Sequence, residues 1–152
     1  GISRNIESYW NHFLMKQNQA LDTRYLEAFY FGHDQQSAEH LLPLVLDGKK
    51  SATSSAEEEY ILTNEREPQV GDYSIVTDFA GNPKCIIQTT EVIKLKFNEM
   101  TYDICRLEGE DLTLETWQEK HMEFFDAVGK IVGYAYHPEM MIIFEKFEVV
   151  HQ

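Results

Sequence analysis

The sequence predicts an α+β domain built on an antiparallel or mixed, barrel-like sheet. In the first third of the chain, apolar residues recur with a helical period between residues 6 and 14. Apolar and polar residues then alternate with the period of a strand from residue 73 to residue 92, with a Gly-Asn-Pro turn at 81–83. A second helical pattern at 113–128 precedes the apolar segment 140–150, which is typical of a closing strand. This order of helices and strands indicates the α+β class.

Three helices are expected before the strands. The first contains the apolar stripe of residues 6–14, and the second is a short helix over residues 25–30. The third begins with Ser37 as its N-cap and runs to Asp47, where Gly48 ends it. These helices form a mainly helical N-terminal part that packs on the sheet.

Two further N-caps are expected. Ser55 precedes three glutamates that suit the first turn of a short helix, where the helix dipole favours negative charge. Thr113 precedes the longer helix, which carries Trp117 and His121 on one face. Another short helix is expected at residues 101–107, between the helix that follows Ser55 and the helix that follows Thr113.

The composition indicates one domain over residues 1–152, of which 1–47 form the helical part. The chain is 43% hydrophobic, which suits a folded core. No apolar run approaches the about 20 residues that span a bilayer, and the first residues lack a signal-peptide pattern. The two cysteines have neither redox-pair nor zinc-site spacing, which suits reduced thiols. We therefore expect a cytoplasmic protein with no membrane partner, no structural metal and no cofactor.

The charge distribution disfavours long nucleic acids as partners. The chain has 13 basic and 26 acidic residues, so its net charge is −13 and it repels phosphate backbones at long range. The basic residues include two small groups, Lys49-Lys50 and the set Lys84, Lys94 and Lys96. If the fold brought these groups together, the resulting positive cleft would suit a small anionic or nucleotide-like ligand.

The segment Gly48-Lys49-Lys50-Ser51-Ala52-Thr53 is the strongest candidate for a functional site. It follows an apolar helix and places two lysines and a threonine where the chain is expected to turn. A desolvated lysine has a lowered pKa and can act as a base. A helix C-terminus followed by solvated lysines also explains the segment, and the residues alone favour that explanation.

Five segments in order carry a family resemblance. The first is Gly48-Lys49-Lys50-Ser51-Ala52-Thr53, which matches G-x-K-x-x-T, and the second is Pro68-x-x-Gly71-Asp72. The third is the strand 85–92, and the fourth is Glu108-Gly109-Glu110 followed by Trp117, His121 and Phe124-Phe125. The fifth is the closing strand 144–150. Together they resemble the ASCH domain of the PUA-like superfamily, and within it the YhfF-like bacterial cytoplasmic subgroup. The resemblance implies a small β-barrel flanked by helices, with a cleft that takes RNA or a nucleoside-like ligand.

The resemblance also implies a catalytic set. Some small members of the family hydrolyse the amide of N4-acylated cytidine with a lysine, a threonine and a glutamate, which correspond here to Lys50, Thr53 and Glu91. In such a metal-independent amidohydrolase Thr53 would be the nucleophile, Lys50 the base, and Glu91 the group that orients Lys50 or transfers a proton. A carboxylate beside Lys50 would raise the pKa of its ammonium, so burial must outweigh that effect or Glu91 must be the base.

Four other residues are expected to contact the ligand. Lys49, Ser55, Trp117 and His121 flank the catalytic set, and Trp117 offers a ring on which a base could stack. Many ASCH sequences carry an arginine at the position of Ser55, so one phosphate anchor is missing here.

Two alternatives remain open. One is an RNA- or nucleotide-binding module without catalysis. The other is a metal-assisted ribonuclease that uses the acidic cluster of residues 108–111, although a solvated loop explains that cluster better.

Overall fold

The computed structural model describes residues 2–152, with side chains from residue 5 onward, so Gly1 of the predicted domain lies outside it. The described chain contains five helices and five strands, with short 3-10 turns at Phe97–Glu99 and Arg106–Glu108. The elements are α1 (Ile2–Lys16), β1 (Ala28–Phe29), α2 (Gln35–Leu46), β2 (Ala52–Ala56), α3 (Glu57–Thr63), β3 (Tyr73–Thr77), β4 (Pro83–Lys96), α4 (Tyr102–Cys105), α5 (Leu114–Val132) and β5 (Met141–His151).

The strands form one mixed sheet in the order β1-β3-β4-β5-β2. β1 runs parallel to β3, and the other neighbours are antiparallel. This arrangement confirms the α+β class and the mixed sheet. Within residues 2–152, no hydrogen-bonded pairing joins the edge strands β1 and β2. The sheet is therefore open, and the expected small barrel is not closed.

Two local expectations were wrong because tertiary pairing determines the conformation. Residues 25–30, expected as a helix, contain the two-residue strand β1, and the Ile75 N–H donates to the Glu27 carbonyl at 2.9 Å. Ser55, expected as an N-cap, lies inside β2, and its hydroxyl is 2.9 Å from the Tyr60 hydroxyl. Backbone hydrogen bonds to a neighbouring strand outweigh the weak local helix preference of these short segments.

Helix α2 begins three residues earlier than an N-cap at Ser37 would place it. Its N-cap is Asp34, whose carboxylate accepts the Ser37 N–H at 2.8 Å, while the Ser37 hydroxyl accepts the backbone N–H of Asp34 at 3.2 Å. Ser37 is thus the other half of a capping box instead of the N-cap itself. The helix ends as expected at Asp47, and Gly48 takes a positive φ of 84° that turns the chain towards β2.

Helix α5 and strand β5 form the centre of the largest core cluster. Trp117 and Phe125 on α5 pack with Ile142 and Phe144 on β5, and all four are fully buried. Helices α1 and α2 cover other parts of the sheet through two separate apolar clusters. α5 starts with the expected N-cap, because the Thr113 hydroxyl accepts the Thr116 N–H. Among the described residues, no helix combines the length and apolar character that crossing a membrane requires.

Replacement of a core side chain in β5 should destabilise the protein far more than the same change on the surface. Ile142 is 0% exposed, whereas Ile131 on α5 is 83% exposed. We expect Ile142→Ala to lower the free energy of unfolding by about 2–5 kcal/mol and Ile131→Ala to change it by less than about 0.5 kcal/mol. Urea unfolding of both variants measures the difference, and equal losses would contradict this description of the core.

Candidate functional site

A cavity of about 300 Å³ lies between the start of α2, strand β2 and helix α5. Its size is at the lower end of the range for small-molecule sites. Fifteen residues line it: Phe31, Gly32, His33, Ser37, His40, Leu41, Lys50, Thr53, Ser54, Glu108, Glu110, Lys120, His121, Glu123 and Phe124. Charged and aromatic side chains are thus brought together from parts of the chain that are distant in sequence.

Lys50 lies at the floor of the cavity, although it is only 2% exposed. The chain around it is fixed by backbone hydrogen bonds, since the Lys50 N–H donates to Leu44 and the Ser51 N–H donates to Leu107, both at 2.9 Å. The Lys50 ammonium donates to three acceptors, which are the carbonyl oxygen of Ala52 at 2.8 Å, Oε1 of Glu108 at 3.3 Å and Oε2 of Glu110 at 2.9 Å. All three ammonium protons therefore have partners within the protein.

Glu108 is the centre of this cluster and is 1% exposed. Its Oε1 lies 3.3 Å from both Lys50 Nζ and His121 Nε2. Its Oε2 accepts the Ser54 hydroxyl at 2.8 Å and the Trp117 indole N–H at 2.7 Å. Four donors from β2, α5 and the chain after α2 thus saturate one buried carboxylate.

The surroundings of His121 indicate an imidazolium. Its Nδ1 lies 2.9 Å from the carbonyl oxygen of Trp117, and its Nε2 faces the Glu108 carboxylate. Both neighbours are acceptors, so both ring nitrogens must carry a proton to make both hydrogen bonds. The ring is stacked on the Trp117 indole with centroids 4.2 Å apart.

In this cluster, burial and charge pairing shift each pKa in opposite directions, and the effect of charge pairing is the larger. Burial would lower the pKa of Lys50, but the carboxylates of Glu108 and Glu110 raise it above its ordinary value. Burial would likewise lower the pKa of His121, yet Glu108 raises it. Burial would raise the pKa of Glu108, but His121 and Lys50 hold it well below its usual range. Lys50, Glu108 and His121 are therefore held in their charged forms.

A tight turn brings the two glutamates to Lys50. Gly109 between them has a positive φ of 74° and lies against the backbone of residues 49–50, where a Cβ would collide with the carbonyl oxygen of Lys49. A residue without a side chain is needed at this position for both reasons. The turn also leads directly into the N-terminus of α5.

The walls of the cavity include aromatic side chains and one hydroxyl group that has no hydrogen-bond partner among the described residues. Phe31, which precedes α2, and Phe124, which lies on α5, both line the cavity. The ring of His33 packs edge-on against Phe124, with the ring centroids 6.0 Å apart. Thr53 on β2 lines the cavity, and its side chain makes no hydrogen bond within the part of the chain that the structure describes. The neighbouring Ser54 is tied to Glu108.

The structure brings together some of the residues expected at the site and separates others. Lys50, Thr53 and His121 line the same cavity. Glu91 does not line it, because it lies on β4 opposite Lys146, with its carboxylate 3.1 Å from the Lys146 ammonium. The partners of Lys50 are instead Glu108 and Glu110, which reach it because the turn at 108–110 lies against the chain after α2.

The expected ligand contacts are also divided. Trp117 is fully buried in the core and contributes to the cavity only through Glu108 and His121. Lys49 is exposed and its N–H donates to Asp47, while Ser55 lines a neighbouring cavity with Tyr60. Neither residue lines the cavity that contains Lys50.

Two expectations about charged clusters were wrong. The acidic residues 108–111 are not a solvated loop, because Glu108 and Glu110 bind Lys50 and the Asp111 carboxylate lies 3.0 Å from the Lys120 ammonium. No group of three or more His, Cys, Asp or Glu among the described residues is placed to hold a metal ion. The lysines expected to form a positive cleft instead pair separately with carboxylates, namely Lys84 with Asp78, Lys94 with Glu57 and Glu67, and Lys96 with Glu139.

Glu108, Glu110 and Phe124 belong to the segments of the family resemblance, and the two glutamates also to the acidic cluster, but the sequence reasoning assigned none of them to the cavity around Lys50 and did not name Phe31. One signal for the glutamates was present, since a lysine that becomes buried requires carboxylates, and an unusual Glu-Gly-Glu turn precedes the helix with Trp117. No comparable signal identified the two phenylalanines, because aromatic residues are common in any core.

Comparison with known proteins gives a consistent result. A family model of the ASCH domain matches residues 27–151. Protein EF3133 from Enterococcus faecalis V583, described as family DUF984, is 32% identical with a TM-score of 0.90, and the match covers 97% of this chain and 89% of that chain. An ASCH domain from Lactobacillus crispatus JV V101 is 32% identical with a TM-score of 0.80, covering 93% and 94%. Hypothetical protein PH0355, at 17% identity, shares only the fold, with a TM-score of 0.51 and coverage of 82% and 98%. None of the curated proteins matches the chain.

The open mixed sheet, the flanking helices and the cavity over a buried ion-pair cluster define a small α+β protein with a candidate small-molecule site. The family model covers most of the chain, and two solved structures share 32% identity over nearly all of it. The chain therefore belongs to the ASCH domain family, and the resemblance noted in five segments of the sequence is confirmed.

The position of Gly109 should be intolerant of any side chain. Gly109→Ala combines a left-handed backbone with a collision against Lys49, whereas Gly71, with a φ of 95°, has no atom within 4 Å of an added Cβ. We expect Gly71→Ala to cost about 1–2 kcal/mol of unfolding free energy and Gly109→Ala to cost about 1–3 kcal/mol more. Urea unfolding tests this, and equal losses would show that residues 108–110 do not depend on this close approach.

The charged cluster should stabilise the fold most between about pH 4.5 and about pH 6.5. The raised pKa of His121 adds stability that is fully present below its ordinary value of 6.5 and is lost as the pH rises through the raised pKa. The lowered pKa of Glu108 adds stability that is fully present above 4.5 and is lost as the pH falls through the lowered pKa. Both contributions are complete only between these values.

Urea unfolding of the wild type and His121→Gln from about pH 5 to about pH 9 isolates the histidine contribution. The difference in unfolding free energy between the two proteins should shrink as the pH rises. A difference that stays constant, or that grows with pH, would show that His121 is not stabilised as an imidazolium.

Proposed function

We propose that the cavity binds a small nucleoside-like molecule. The observation that carries the proposal is a cavity of about 300 Å³ whose walls are aromatic and whose floor is the buried cluster around Lys50 and Glu108. Phe31 and Phe124 offer apolar surface to a planar ring, and Thr53 offers a hydroxyl that can donate or accept. A pocket that combines apolar walls with a few polar groups suits one small ligand.

Hydrolysis of an amide in this ligand is the second candidate, and the uncommitted hydroxyl of Thr53 favours it. Thr53 Oγ1 would attack the carbonyl carbon of an N4-acylated cytidine-like molecule. The C–N bond would break, the amine would leave with a proton, and water would release the acyl group from the threonine. The reaction needs a base for the Thr53 proton and an acid for the leaving nitrogen.

The charges in the cluster assign these two roles differently from the sequence analysis. Lys50 has a raised pKa and is held as an ammonium, so it cannot be the base, and the same raised pKa makes it a weak acid. The proton for the leaving nitrogen would then come from the base, after it has taken the Thr53 proton. The base would then be a carboxylate, and Glu110 is the carboxylate of the cavity floor that keeps an oxygen without a donor. In this proposal Glu110 and Glu108 replace Glu91 as the acidic partners of Lys50.

RNA binding is the remaining alternative from the family resemblance. An RNA strand would contact several phosphates, and its binding would weaken steeply with salt, whereas a small neutral nucleoside would bind almost independently of salt. The net charge of −13 supports the small ligand. Titration at two salt concentrations separates these possibilities.

Thr53→Val should retain ligand binding and lose hydrolysis. Calorimetric titration with nucleosides and N4-acylated cytidines measures binding, and chromatography of the products measures turnover. If Thr53 is the nucleophile, turnover should fall by at least about a thousandfold, while the dissociation constant should change by about tenfold or less.

Thr101→Val is the matched control, because Thr101 is exposed and its side chain caps no helix. It should leave both measurements unchanged. Binding without turnover in the wild type would support a binding protein and contradict the hydrolase. Absence of binding across the whole panel would overturn the proposed function.

A further inference from the structure

We infer that the ligand of this cavity carries no phosphate and presents an N–H donor to Glu110. This inference rests on the proposed function and specifies which nucleoside-like molecules the site accepts. It follows from an account of the hydrogen-bond donors, acceptors and charges that line the cavity.

The floor has no spare donor among its buried groups. The three protons of the Lys50 ammonium are used by Ala52, Glu108 and Glu110. The Ser54 hydroxyl donates to Glu108, and both nitrogens of His121 face acceptors. A ligand acceptor that reaches the floor, such as a phosphate oxygen or a ring carbonyl, would have to displace one of these hydrogen bonds and leave a buried carboxylate short of a donor. Side-chain donors that remain for a ligand acceptor lie on the walls, at the Thr53 hydroxyl and the half-exposed Lys120 ammonium.

The floor does have a spare acceptor. Both oxygens of Glu108 already have two donors each, so Glu108 is saturated. Glu110 uses only Oε2 towards Lys50, and its Oε1 has no hydrogen bond within residues 2–152. The Glu110 side chain is 12% exposed and lines the cavity. A ligand N–H would thus complete the hydrogen bonding of this carboxylate.

The charges lining the cavity give the same result. Lys50 and His121 are balanced by Glu108 and Glu110, so the buried cluster has no net charge. Lys120, the other lysine of the lining, has Asp111 3.0 Å from its ammonium. A phosphate entering the cavity would find no lysine without a carboxylate partner, and desolvating its charge would be unfavourable.

The two remaining basic groups do not change this balance. His33 has its Nε2 3.6 Å from the Asp34 carboxylate, and His40 lies on the exposed side of α2. Glu123 adds a further negative charge to the lining. The cavity is therefore neutral to acidic, in contrast to the positive cleft that the sequence suggested.

These features predict a preference between closely matched ligands. Cytidine and adenosine carry an exocyclic amino group, whereas uridine and inosine have a carbonyl oxygen at the same position. The exocyclic amino group carries two N–H donors and no acceptor, so it can donate to Glu110. In uridine and inosine the remaining donor of the base at this edge is a ring N–H, and the carbonyl oxygen beside it would meet the carboxylate as a second acceptor. A site that satisfies a buried acceptor discriminates strongly against the partner without the donor.

The experiment is calorimetric titration of the full chain with cytidine, uridine, adenosine and inosine, and with their 5′-monophosphates. We expect at least one amino-bearing nucleoside to bind about tenfold or more tightly than its carbonyl counterpart. The 5′-monophosphate of that nucleoside should bind more weakly than the nucleoside itself. In Glu110→Gln the preference for the amino group should fall to about threefold or less, because the amide offers both a donor and an acceptor. The same change at Glu119, which is exposed on α5 and does not line the cavity, is the control.

The outcomes separate this inference from the proposed function. Equal affinity for amino and carbonyl nucleosides, or tighter binding of the monophosphates, would overturn the inference and leave a nucleoside-binding cavity intact. A preference that survives Glu110→Gln would also overturn it. Failure of all eight compounds to bind would overturn both.

Discussion

The fold depends on two opposite charges that are buried side by side, the Lys50 ammonium and the Glu108 carboxylate. Each side chain is only 2% exposed. An ion that is buried without partners costs several kcal/mol, so the ammonium protons and the carboxylate oxygens must all find partners. Those partners come from the chain after α2, from β2, from the turn at 108–110 and from α5. These four segments can satisfy the pair only if they meet at the same place.

This requirement links the packing to the chemistry of the cavity. A lysine that is held as an ammonium by two carboxylates is a poor base, so any proton abstraction passes to a carboxylate. The saturation of Glu108 keeps that carboxylate ionised and unavailable to a ligand, whereas Oε1 of Glu110, at the surface of the cavity, accepts no hydrogen bond from the part of the chain that the structure describes. The groups that stabilise the fold are therefore distinct from the groups that can face a ligand, although they belong to one cluster.

Sequence patterns predicted the long elements well and the site only in part. Helix α5, with Thr113 as its N-cap, follows from its apolar residues at helical spacing, and strands β3 to β5 follow from apolar segments bounded by turn residues. The two-residue strand β1 has no such pattern and exists because β3 offers it backbone hydrogen bonds. Lys50 and Thr53 were identified through the family resemblance. The pairing of Lys50 with Glu108 could not be deduced, because 57 residues separate these positions and only the folded chain brings them together.

The fluorescence of Trp117 can report on the state of this cluster. The chain contains two tryptophans, and Trp10 lies on α1 in a separate core cluster. The Trp117 indole is stacked on the His121 ring at 4.2 Å and donates its N–H to Glu108 at 2.7 Å. A protonated imidazole in contact with an excited indole accepts an electron and suppresses its emission, while a neutral imidazole does so weakly. With Trp10 replaced by phenylalanine, the fluorescence of the protein would report the protonation of His121 directly, without any added probe.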